Sequence, residues 1–421
     1  MQVKNKKSLF FTFFLIISAL FLGPTNKAVD NIAIFGTAGI AVDRDTGAIY
    51  CSKNIDQEVG LASVSKFFVI DYFLDHMAEK NLTLETPVTI SENVGTIKNR
   101  YNEASGLYLP IGEEVSVNKL IELALVFSDN GATVQLAEAL SGTEAQFVTE
   151  INQSFIDQGY SHTKFINASG LDEGDEKNLT GNVSTAREVA RMTINVLDKH
   201  QDILNYTQET EVEFDGDTFK SFNEMLPGGV QEYPGIKGLK TGSSDLAGFN
   251  FLAYCEQENK KTITFIADAK DAYGERNRAA RFTETAKMLS FSKGIELETI
   301  LGTDYRVKVD VKNNGLGTDN FFPKRNLAVV KGANTSLVFD SITYNSQYFT
   351  NNSLTKSIPQ GETVATLKVT PTSGSEDLSV YYKDGTIDVE LINTGKTSKE
   401  NIFFQLIYAI PRFFIGIFNY I

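Results

Sequence analysis

Histidine is scarce in this chain of 421 residues, and this scarcity excludes several common catalytic designs. The three histidines are His76, His162 and His200, and they share no ligand spacing with one another or with the cysteines. A zinc-type site is therefore not expected, and we predict neither a metal nor a cofactor. A Ser-His-Asp triad has no support in the sequence either.

Cysteine is almost as rare. Cys51 and Cys255 lie in runs with β-strand character, Ala48–Cys51 and Phe249–Cys255. An exported protein could join them in one disulfide bridge. Two buried, unpaired cysteines behave as small apolar residues and would give the same pattern.

Positive charge is in deficit, with 39 Lys and Arg against 53 Asp and Glu and a formal net charge of −14. Binding to a polyanion needs a basic surface, so we expect no nucleic acid partner. Electrostatic docking on anionic lipid is also disfavoured. The hydrophobic fraction of 42% and the charged fraction of 22% are ordinary for a globular protein. The length predicts two domains with additional segments.

Residues 1–28 predict a signal peptide. Lys4, Lys6 and Lys7 form a positive stretch, and an apolar run of suitable length comes next at Leu9–Leu22. We place cleavage after Ala28, although the cleavage pattern is poorly defined, and an uncleaved membrane anchor is the alternative. In both cases we expect an exported protein at the outer face of the cytoplasmic membrane or in the cell envelope.

Residues 396–421 predict an amphipathic membrane anchor. The run Ile402–Ile421 is apolar except for Gln405, Arg412 and Asn419, whose regular spacing places them on one narrow stripe of a helix. The run is about long enough to span a bilayer, but no basic residue comes after it. We therefore favour a helix lying in the membrane interface over a spanning helix, with the membrane surface as its partner.

The hydrophobic pattern between these ends mixes helices and strands. A hairpin is predicted for Ala33–Asp43 and Ala48–Cys51, and a mostly buried helix for Ser63–Asn81. The other predicted elements are Val117–Ala139 as two helical pieces broken at Ser128–Gly131, the helix Ala186–Leu197 with Thr185 and Glu188 as a capping box, the strands Phe249–Tyr254 and Thr262–Ala267, and a helix Arg278–Phe291.

The pattern changes from about residue 302 onward. Four segments alternate with period two and are separated by turns such as Lys383-Asp384-Gly385: Tyr305–Val311, Thr363–Val369, Leu378–Tyr382 and Thr386–Leu391. Short alternating strands with turns between them predict a small β-sandwich.

Three short motifs come one after another along the chain: Ser63-Val64-Ser65-Lys66, Ser128-Asp129-Asn130 and Lys240-Thr241-Gly242. The S-x-x-K pattern alone is weak, because it occurs five times, whereas K-T-G occurs once. Only Ser63 opens a long apolar helix, so that its hydroxyl lies at the positive end of the helix dipole. Lys66 is one turn further along on the same face.

A lysine can accept the serine proton only if its amine is neutral. Burial lowers a lysine pKa, and so does a second cation, for which Lys240 is the candidate. Ser128 and Asn130 lie at a predicted helix break, where a hydroxyl could protonate a leaving amine and an amide could hold a peptide group. Lys240 and Thr241 suit a carboxylate, and Gly242 would let a substrate backbone approach closely.

The motif trio resembles that of class A β-lactamases and penicillin-binding proteins. From about residue 30 to 395 the chain resembles the low-molecular-mass penicillin-binding D-alanyl-D-alanine carboxypeptidases, the S11 serine peptidases. Ala62–Lys66 looks like the nucleophile block of that family. Its other signatures are matched by Thr163–Leu171, Ser184–Glu188, Gly238–Gly242 and Ala247–Phe249.

The resemblance implies an α/β (α+β) catalytic domain of the serine β-lactamase/DD-peptidase type, with an antiparallel sheet flanked by helices, over residues 29–300. A small all-β sandwich domain would occupy residues 301–395. The implied substrate is a peptidoglycan stem peptide ending in D-Ala-D-Ala, and β-lactam antibiotics would be covalent inhibitors. In such a fold the strands of Cys51 and Cys255 are not expected to bring the two side chains together, so we predict that both cysteines are unpaired.

The resemblance also implies a role for each motif residue. Ser63 would be acylated and Lys66 would be the general base, with Ser128 and Asn130 forming the opposite wall. The backbone N–H groups of Ser63 and Ser243 would form the oxyanion hole. The residues that would bind the substrate are Lys240, Thr241, Gly242, Ser243 and Arg281.

Two positions depart from the family pattern. Asp129 replaces a small residue, as in class A β-lactamases, and Ser243 replaces a frequent histidine. The first departure motivates β-lactamase as an alternative function. Against it, no E-x-x-L-N run between the second and third motifs supplies a deacylating glutamate. A non-catalytic envelope-binding protein is the other alternative, and the intact nucleophile and base weigh against it.

Overall fold

The structure is a computed structural model that describes residues 32–96, 106–107, 109–175, 177–310, 318–333, 335–351, 353–372 and 378–394. The predicted signal peptide and the predicted C-terminal anchor lie outside these residues. Within them, no helix combines the length and the apolar character needed to cross a bilayer.

The helices of the first part of the chain are α1 (Ser65–His76), α2 (Glu92–Gly95), α3 (Val117–Glu122), α4 (Asn130–Ser141), α5 (Glu144–Asp157), α6 (Ala186–Lys199), α7 (Leu204–Thr207) and α8 (Ala280–Lys293). Single turns of 3-10 helix occur at Ala62–Val64, Met77–Lys80 and Gln201–Ile203, and a π-helical turn at Leu123–Phe127. The strands are β1 (Ala38–Asp43), β2 (Ile49–Lys53), β3 (Val59–Gly60), β4 (Pro87–Thr89), β5 (Glu114–Ser116), β6 (Val183–Ser184), β7 (Glu211–Phe214), β8 (Asp217–Lys220), β9 (Ile236–Ser244), β10 (Gly248–Gln257) and β11 (Lys260–Ala267).

Five of these strands form an antiparallel sheet in the order β2-β1-β11-β10-β9. Side chains alternate between its faces, because successive residues of a strand point to opposite sides. One face, with Ile40 and Phe265, belongs to the core that the helices α1 and α6 share. The other face, with Phe251, packs against Phe282 of α8. The predicted antiparallel sheet flanked by helices is therefore confirmed.

The predicted helix break at the second motif is also confirmed. Helix α3 continues into the π-helical turn, Ser128 adopts a left-handed conformation with φ +67°, and α4 begins at Asn130. The Asp129 carboxylate caps α4 by accepting from the Ala132 N–H at 2.6 Å. Ser128 therefore occupies the turn itself, and Asn130 is the first residue of the helix that comes after it.

Both cysteines are unpaired, as predicted. Cys51 in β2 and Cys255 in β10 lie on the same face of the sheet, but β1 and β11 separate their strands. Three inter-strand spacings amount to roughly 14 Å. A disulfide bridge needs a Cβ–Cβ separation of about 4 Å. The order of strands therefore excludes the bridge.

The remaining strands build an all-β region: β12 (Leu297–Leu301), β13 (Val307–Asp310), β14 (Thr318–Pro323), β15 (Leu327–Val330), β16 (Leu337–Tyr344), β17 (Phe349–Thr350), β18 (Ser353–Leu354), β19 (Thr363–Pro371), β20 (Tyr382–Lys383) and β21 (Thr386–Ile392). Strands β13-β14-β21-β19-β16 form one sheet, and β12 pairs with β15. Both sheets contribute to a core of their own, with Leu301, Val364 and Leu391. The sequence had indicated fewer of these strands.

Backbone and side-chain hydrogen bonds connect the β region to the first part of the chain. The Val380 N–H donates to the Gly47 carbonyl at 3.0 Å. Arg187 donates both to Asp56 and to the Ser379 carbonyl, at 2.7 and 2.8 Å. These contacts lie on the hairpin edge of the sheet, at the far side from β9, which carries the third motif.

Candidate active site

Ser63 lies in the 3-10 turn that leads directly into α1. Ala62 immediately before it has φ +47°, a left-handed conformation that β-carbon-bearing residues rarely adopt. The turn is held from outside, because the Leu61 N–H donates to the Asn182 carbonyl at 2.9 Å. Ser63 keeps partial exposure while Lys66 is completely buried.

The Lys66 amine makes three hydrogen bonds. Its Nζ lies 2.7 Å from Ser63 Oγ, 2.7 Å from Asn130 Oδ1 and 2.6 Å from the Ser169 carbonyl. The last two partners are carbonyl oxygens, which can only accept. When Lys66 is neutral, its two N–H groups therefore stay with these oxygens and its lone pair faces Ser63. Ser63 is the one partner of the three with a proton to transfer.

Burial lowers the pKa of Lys66 to about 7, and the charge of Asp129 acts in the opposite direction. The sequence predicted two causes for a lowered pKa, burial and the charge of Lys240; burial is confirmed, whereas Lys240 is not among the causes that act on Lys66. Lys66 instead acts on Lys240. Burial first, and then the charges of Lys66 and Arg281, hold the pKa of Lys240 well below its ordinary value. A substantial fraction of Lys66 is therefore neutral near neutral pH.

Asp129 connects the second motif to the chain before it. Its carboxylate accepts from the Leu107 N–H at 2.5 Å as well as from Ala132. Burial raises the pKa of Asp129, while these hydrogen bonds and the charge of Lys66 oppose the rise. The residue that departs from the family pattern thus has a structural position of its own beneath the site.

Lys240, Thr241 and Ser243 lie in sequence along β9. Lys240 is 2% exposed, and among the described residues its Nζ contacts one acceptor, the Thr241 carbonyl at 3.0 Å. Arg281 of α8 donates to Ser243 Oγ at 3.0 Å and to the Gly242 carbonyl at 3.3 Å. Arg281, which the resemblance placed among the substrate-binding residues, therefore lies beside the third motif.

The two buried cations at this end of β9 have donors to spare within the described residues. The Arg281 Nε is buried and has no hydrogen-bond partner in the described part of the chain. Burial, and next the charge of Arg278, lower the pKa of Arg281 to about 10. Positive groups that are desolvated and crowded together are stabilised by an anion, so this end of the cleft suits a carboxylate.

Gly242 has a different role from the one expected. A Cβ at this position would lie 2.6 Å from the Leu61 carbonyl oxygen and 3.0 Å from the Val64 nitrogen. The missing side chain therefore lets β9 pack directly on the turn that carries Ser63. Gly242 brings the third motif to the nucleophile, whereas we had expected it to make room for the substrate backbone.

The 163–171 loop contributes the Ser169 carbonyl, which binds Lys66, to the site. The sequence had marked this loop only as a family signature. Gly170 has φ +79°, and a Cβ there would lie 2.1 Å from the Ala62 carbonyl oxygen. Asn182 accepts from the Ile166 N–H at 2.7 Å and so ties the loop to the nucleophile turn. The Asn-Ala-Ser-Gly sequence at 167–170 is the signal that could have indicated this contact.

The structure thus joins Ser63, Lys66 and Asn130 by hydrogen bonds, and it packs the strand of Gly242 and Ser243 against the nucleophile turn with Arg281 beside it. Elsewhere in the described residues, Asp71, Asp75 and His200 form a group whose spacing could hold an ion. Lys199 already forms ion pairs with both of these carboxylates. A protein cation therefore occupies the position that a metal would need.

A buried lysine bonded to a partly exposed serine, an asparagine on the facing helix and a cationic strand define an active-serine site of the penicillin-binding type. The model of the D-alanyl-D-alanine carboxypeptidase family, peptidase family S11, matches residues 25–271. The chain belongs to this family. The match covers the three motifs and the 163–171 loop.

Individual relatives agree with the family assignment. The D-alanyl-D-alanine carboxypeptidase DacF of Bacillus subtilis is 26% identical to this chain over 277 residues. The aligned part covers 65% of this chain and 66% of DacF, which is just under two thirds of the length of DacF. A peptidoglycan synthesis regulatory factor (PBP3) from Streptococcus pneumoniae has the same fold, with a TM-score of 0.63 and 23% identity over 86% of this chain and 100% of that one. Penicillin-binding protein D2 from Listeria monocytogenes, in its cefotaxime-bound form, is 26% identical with a TM-score of 0.53, covering 62% of this chain and 99% of its own.

Proposed function

We propose that this protein is a serine-type D-Ala-D-Ala carboxypeptidase that removes the terminal D-Ala from peptidoglycan stem peptides. The observation that carries the proposal is the bond between Lys66 and Ser63, in which a neutral amine can face the hydroxyl. Membership of the carboxypeptidase family supports the choice of substrate.

In acylation, the Ser63 Oγ attacks the carbonyl of the penultimate D-Ala while its proton passes to Lys66. The developing oxyanion is stabilised by the backbone N–H groups of Ser63 and Ser243, and the packing of β9 on the nucleophile turn supports this pairing. The proton that Lys66 accepted passes through the Ser128 hydroxyl, which gives up its own proton to the departing amine and regains one from Lys66, while Asn130 holds the peptide group of the substrate. The C–N bond breaks, and the peptide remains as an ester on Ser63 until water releases it.

The terminal carboxylate of the substrate is bound by Lys240, Thr241 and Arg281. These groups lie at the end of β9 with donors that the described residues leave unsatisfied. A site for a free carboxylate at the scissile residue favours cleavage of terminal over internal peptide bonds. Penicillin carries a carboxylate in the same relation to its reactive amide, but its leaving group stays tethered, so we expect slow deacylation.

β-Lactamase is the main alternative, and Asp129 is the residue that motivates it. The 163–171 loop presents a backbone carbonyl to Lys66, and a carbonyl cannot act as a base toward water in deacylation. A passive envelope-binding protein would not require a buried lysine beside a serine, since burying an amine costs free energy that a binding surface does not recover.

The test compares a peptide ending in free D-Ala-D-Ala with the same peptide amidated at its C-terminus. We expect the free acid to be hydrolysed and the amide to lose most of that activity. Equal cleavage of both would favour an endopeptidase, and rapid turnover of penicillin would favour a β-lactamase.

Labelling with penicillin and subsequent mass spectrometry test the nucleophile independently. The adduct should map to a peptide containing Ser63 and be absent from Ser63→Ala. Of the five S-x-x-K serines, only Ser63 lies in a turn that opens a buried helix beside a buried lysine. An adduct on any other serine would overturn the assignment.

We further propose that the protein acts outside the cytoplasm, attached to the outer face of the cytoplasmic membrane. The supports are the signal-like residues 1–28 and the apolar run Ile402–Ile421 with its narrow polar stripe. This location would place the cleft near its peptidoglycan substrate.

A further inference from the structure

A second guanidinium, that of Arg278, lies in the turn just before α8, close in the chain to Arg281. The Arg278 side chain is 54% exposed, whereas Arg281 is 2% exposed. After burial, the charge of Arg278 is the next cause that lowers the pKa of Arg281. Positive charge therefore continues from the buried Lys240 and Arg281 to the solvent.

Arg278 is held in this position by the segment before β9. Its Nη2 lies 3.5 Å from Glu224 Oε1, and its guanidinium carbon lies 6.0 Å from the centre of the Phe222 ring. The backbone of Glu224 is held in place, because its carbonyl accepts from the Gln231 N–H at 3.0 Å. An exposed arginine with a carboxylate and an aromatic ring beside it has fewer orientations than a free side chain.

The aromatic ring connects Arg278 to the opposite wall of the cleft. Phe222 stacks on Phe127 with ring centres 5.6 Å apart and planes inclined by 26°. Phe127 directly precedes Ser128 in the left-handed turn of the second motif. The ring pair therefore joins the wall that carries Ser128 to the side of the cleft that carries the arginines.

Because the protein as a whole is negatively charged, an exposed arginine can help an anionic substrate to approach. A protein with a formal charge of −14 repels a peptide that carries a terminal carboxylate. A local positive group at the mouth of a cleft raises the encounter rate of an anion with the site. Glu224, 30% exposed, partly neutralises Arg278 and so moderates this attraction.

We propose that Arg278 is a substrate-recruiting residue that draws the terminal carboxylate toward Lys240, Thr241 and Arg281. The proposal rests on the carboxypeptidase function proposed above. It assigns Arg278 to capture of the substrate from solution, and it assigns Glu224 to holding and moderating its charge.

The test is the Arg278→Gln variant of the full chain, assayed on a D-Ala-D-Ala peptide at low and high salt. At about 0.01 M ionic strength the Debye length is about 30 Å, and at about 1 M it is about 3 Å. We expect KM to rise about 3- to 10-fold at low salt with kcat unchanged, and the difference to disappear at high salt. The second-order rate of acylation by benzylpenicillin, which also carries a carboxylate, should fall by a similar factor at low salt.

Three further variants separate charge from structure. Arg278→Lys should retain most of the wild-type kcat/KM, because attraction needs a charge and not a particular geometry. Glu224→Gln should lower KM, in the opposite direction to Arg278→Gln. Lys293→Gln removes the same charge from the far end of α8 and should change nothing.

An unchanged KM in Arg278→Gln, a fall in its kcat, or an effect that persists at high salt would overturn the proposal. Its failure is distinguishable from failure of the proposed function. If the wild type cleaves the peptide and Arg278→Gln is unaffected, only the recruiting role is wrong. If the wild type does not cleave the peptide, the carboxypeptidase proposal is wrong, and the penicillin acylation rates still test Arg278.

Discussion

At the scale of single residues, the buried carboxylate of Asp129 sets part of the chemistry of Lys66. The residue is completely buried and caps α4 while its charge raises the pKa of Lys66 against the larger effect of burial. A small residue at this position would leave burial unopposed. Asp129 therefore decides, together with burial, the pH at which Lys66 becomes a base.

The Asp129→Asn variant tests this effect. The wild-type kcat/KM should rise with pH through about 7, as Lys66 loses its proton. The substitution removes a negative charge that raises this pKa, so the pKa falls and the acid limb moves to lower pH. The measurement is the pH profile of kcat/KM.

The exposed Asp217→Asn is the control and should leave the acid limb in place. The Asp129→Asn variant should also lose roughly 1 to 3 kcal/mol of stability, because one of the two carboxylate oxygens becomes an NH2 group and the Leu107 N–H loses its acceptor. A limb that moved to higher pH would contradict the assignment of Lys66 as the base.

The Gly242→Ala variant tests the close approach of β9 to the nucleophile turn. The new Cβ would meet backbone atoms of Leu61 and Val64, which cannot move as a side chain can. We expect acylation by penicillin to slow at least ~100-fold, with an overpacking cost of about 1 to 3 kcal/mol in the free energy of unfolding.

Gly294→Ala is the matched control, because its φ is −78° and the nearest atom to a Cβ there would lie 3.6 Å away. It should remain close to the wild type in both measurements. Normal acylation in Gly242→Ala would show that β9 is not held to the turn in this way.

At the scale of elements, the first turn of α6 supports the 163–171 loop. Thr185 caps the helix, as the predicted capping box requires, by accepting from the Glu188 N–H at 3.2 Å. The Glu188 carboxylate does not accept from the Thr185 N–H, the second hydrogen bond of a capping box. It accepts instead from Thr163 Oγ1 at 2.6 Å and from the His162 N–H at 3.2 Å. The helix therefore holds the start of the loop that presents the Ser169 carbonyl to Lys66.

The Glu188→Ala variant should lose roughly 1 to 3 kcal/mol of stability, because the buried Thr163 hydroxyl and the His162 N–H lose their shared acceptor. Urea unfolding measures this loss. Acylation should also slow, since the loop that binds Lys66 is less firmly placed. The exposed Glu209→Ala should stay within about 0.5 kcal/mol of the wild type, and equal stability of the two variants would refute the support role.

At the scale of the whole molecule, the β region is bonded to the hairpin edge of the sheet and not to the cleft. The bonds of Arg187 and Val380 lie at this edge, and Arg325 adds an ion pair with Asp198 at the end of α6. The cleft is at the other edge, on β9. The chemistry should therefore not depend on the residues C-terminal to the β region.

A truncation ending at Thr397 tests this independence together with the proposed anchor. The shortened protein should stay in solution and retain full activity on a short peptide. The full chain should pellet with membranes even at high salt, because salt only weakly screens binding through an apolar helix. Sedimentation with membrane vesicles is the measurement. If the truncated protein still pelleted, the attachment would have to lie elsewhere, as in an uncleaved N-terminus.

Short-range patterns in the sequence were sufficient to predict much of the fold and to select the candidate reacting groups. Residues one turn apart on a helix are neighbours whatever surrounds them, so the spacing assigned Lys66 to Ser63 once the long apolar helix had selected that serine among the five. The alternation of β10 and β11 and the break at Ser128 are equally local. The all-β region was predicted with too few strands, because segments such as β16 are largely exposed and their alternation is weak.

Only the tertiary structure decided how the site is tuned. The Ser169 carbonyl is 103 residues from Lys66, and Arg281 is 38 residues from Ser243. Distances between such residues depend on the order of strands and on how closely backbones pack. Burial, which lowers the pKa of Lys66, is likewise a property of the assembled core and not of the motif. The sequence by itself therefore determined which groups are the candidates to react, and the fold determined the burial of Lys66, its third partner and the position of Arg281 beside Ser243.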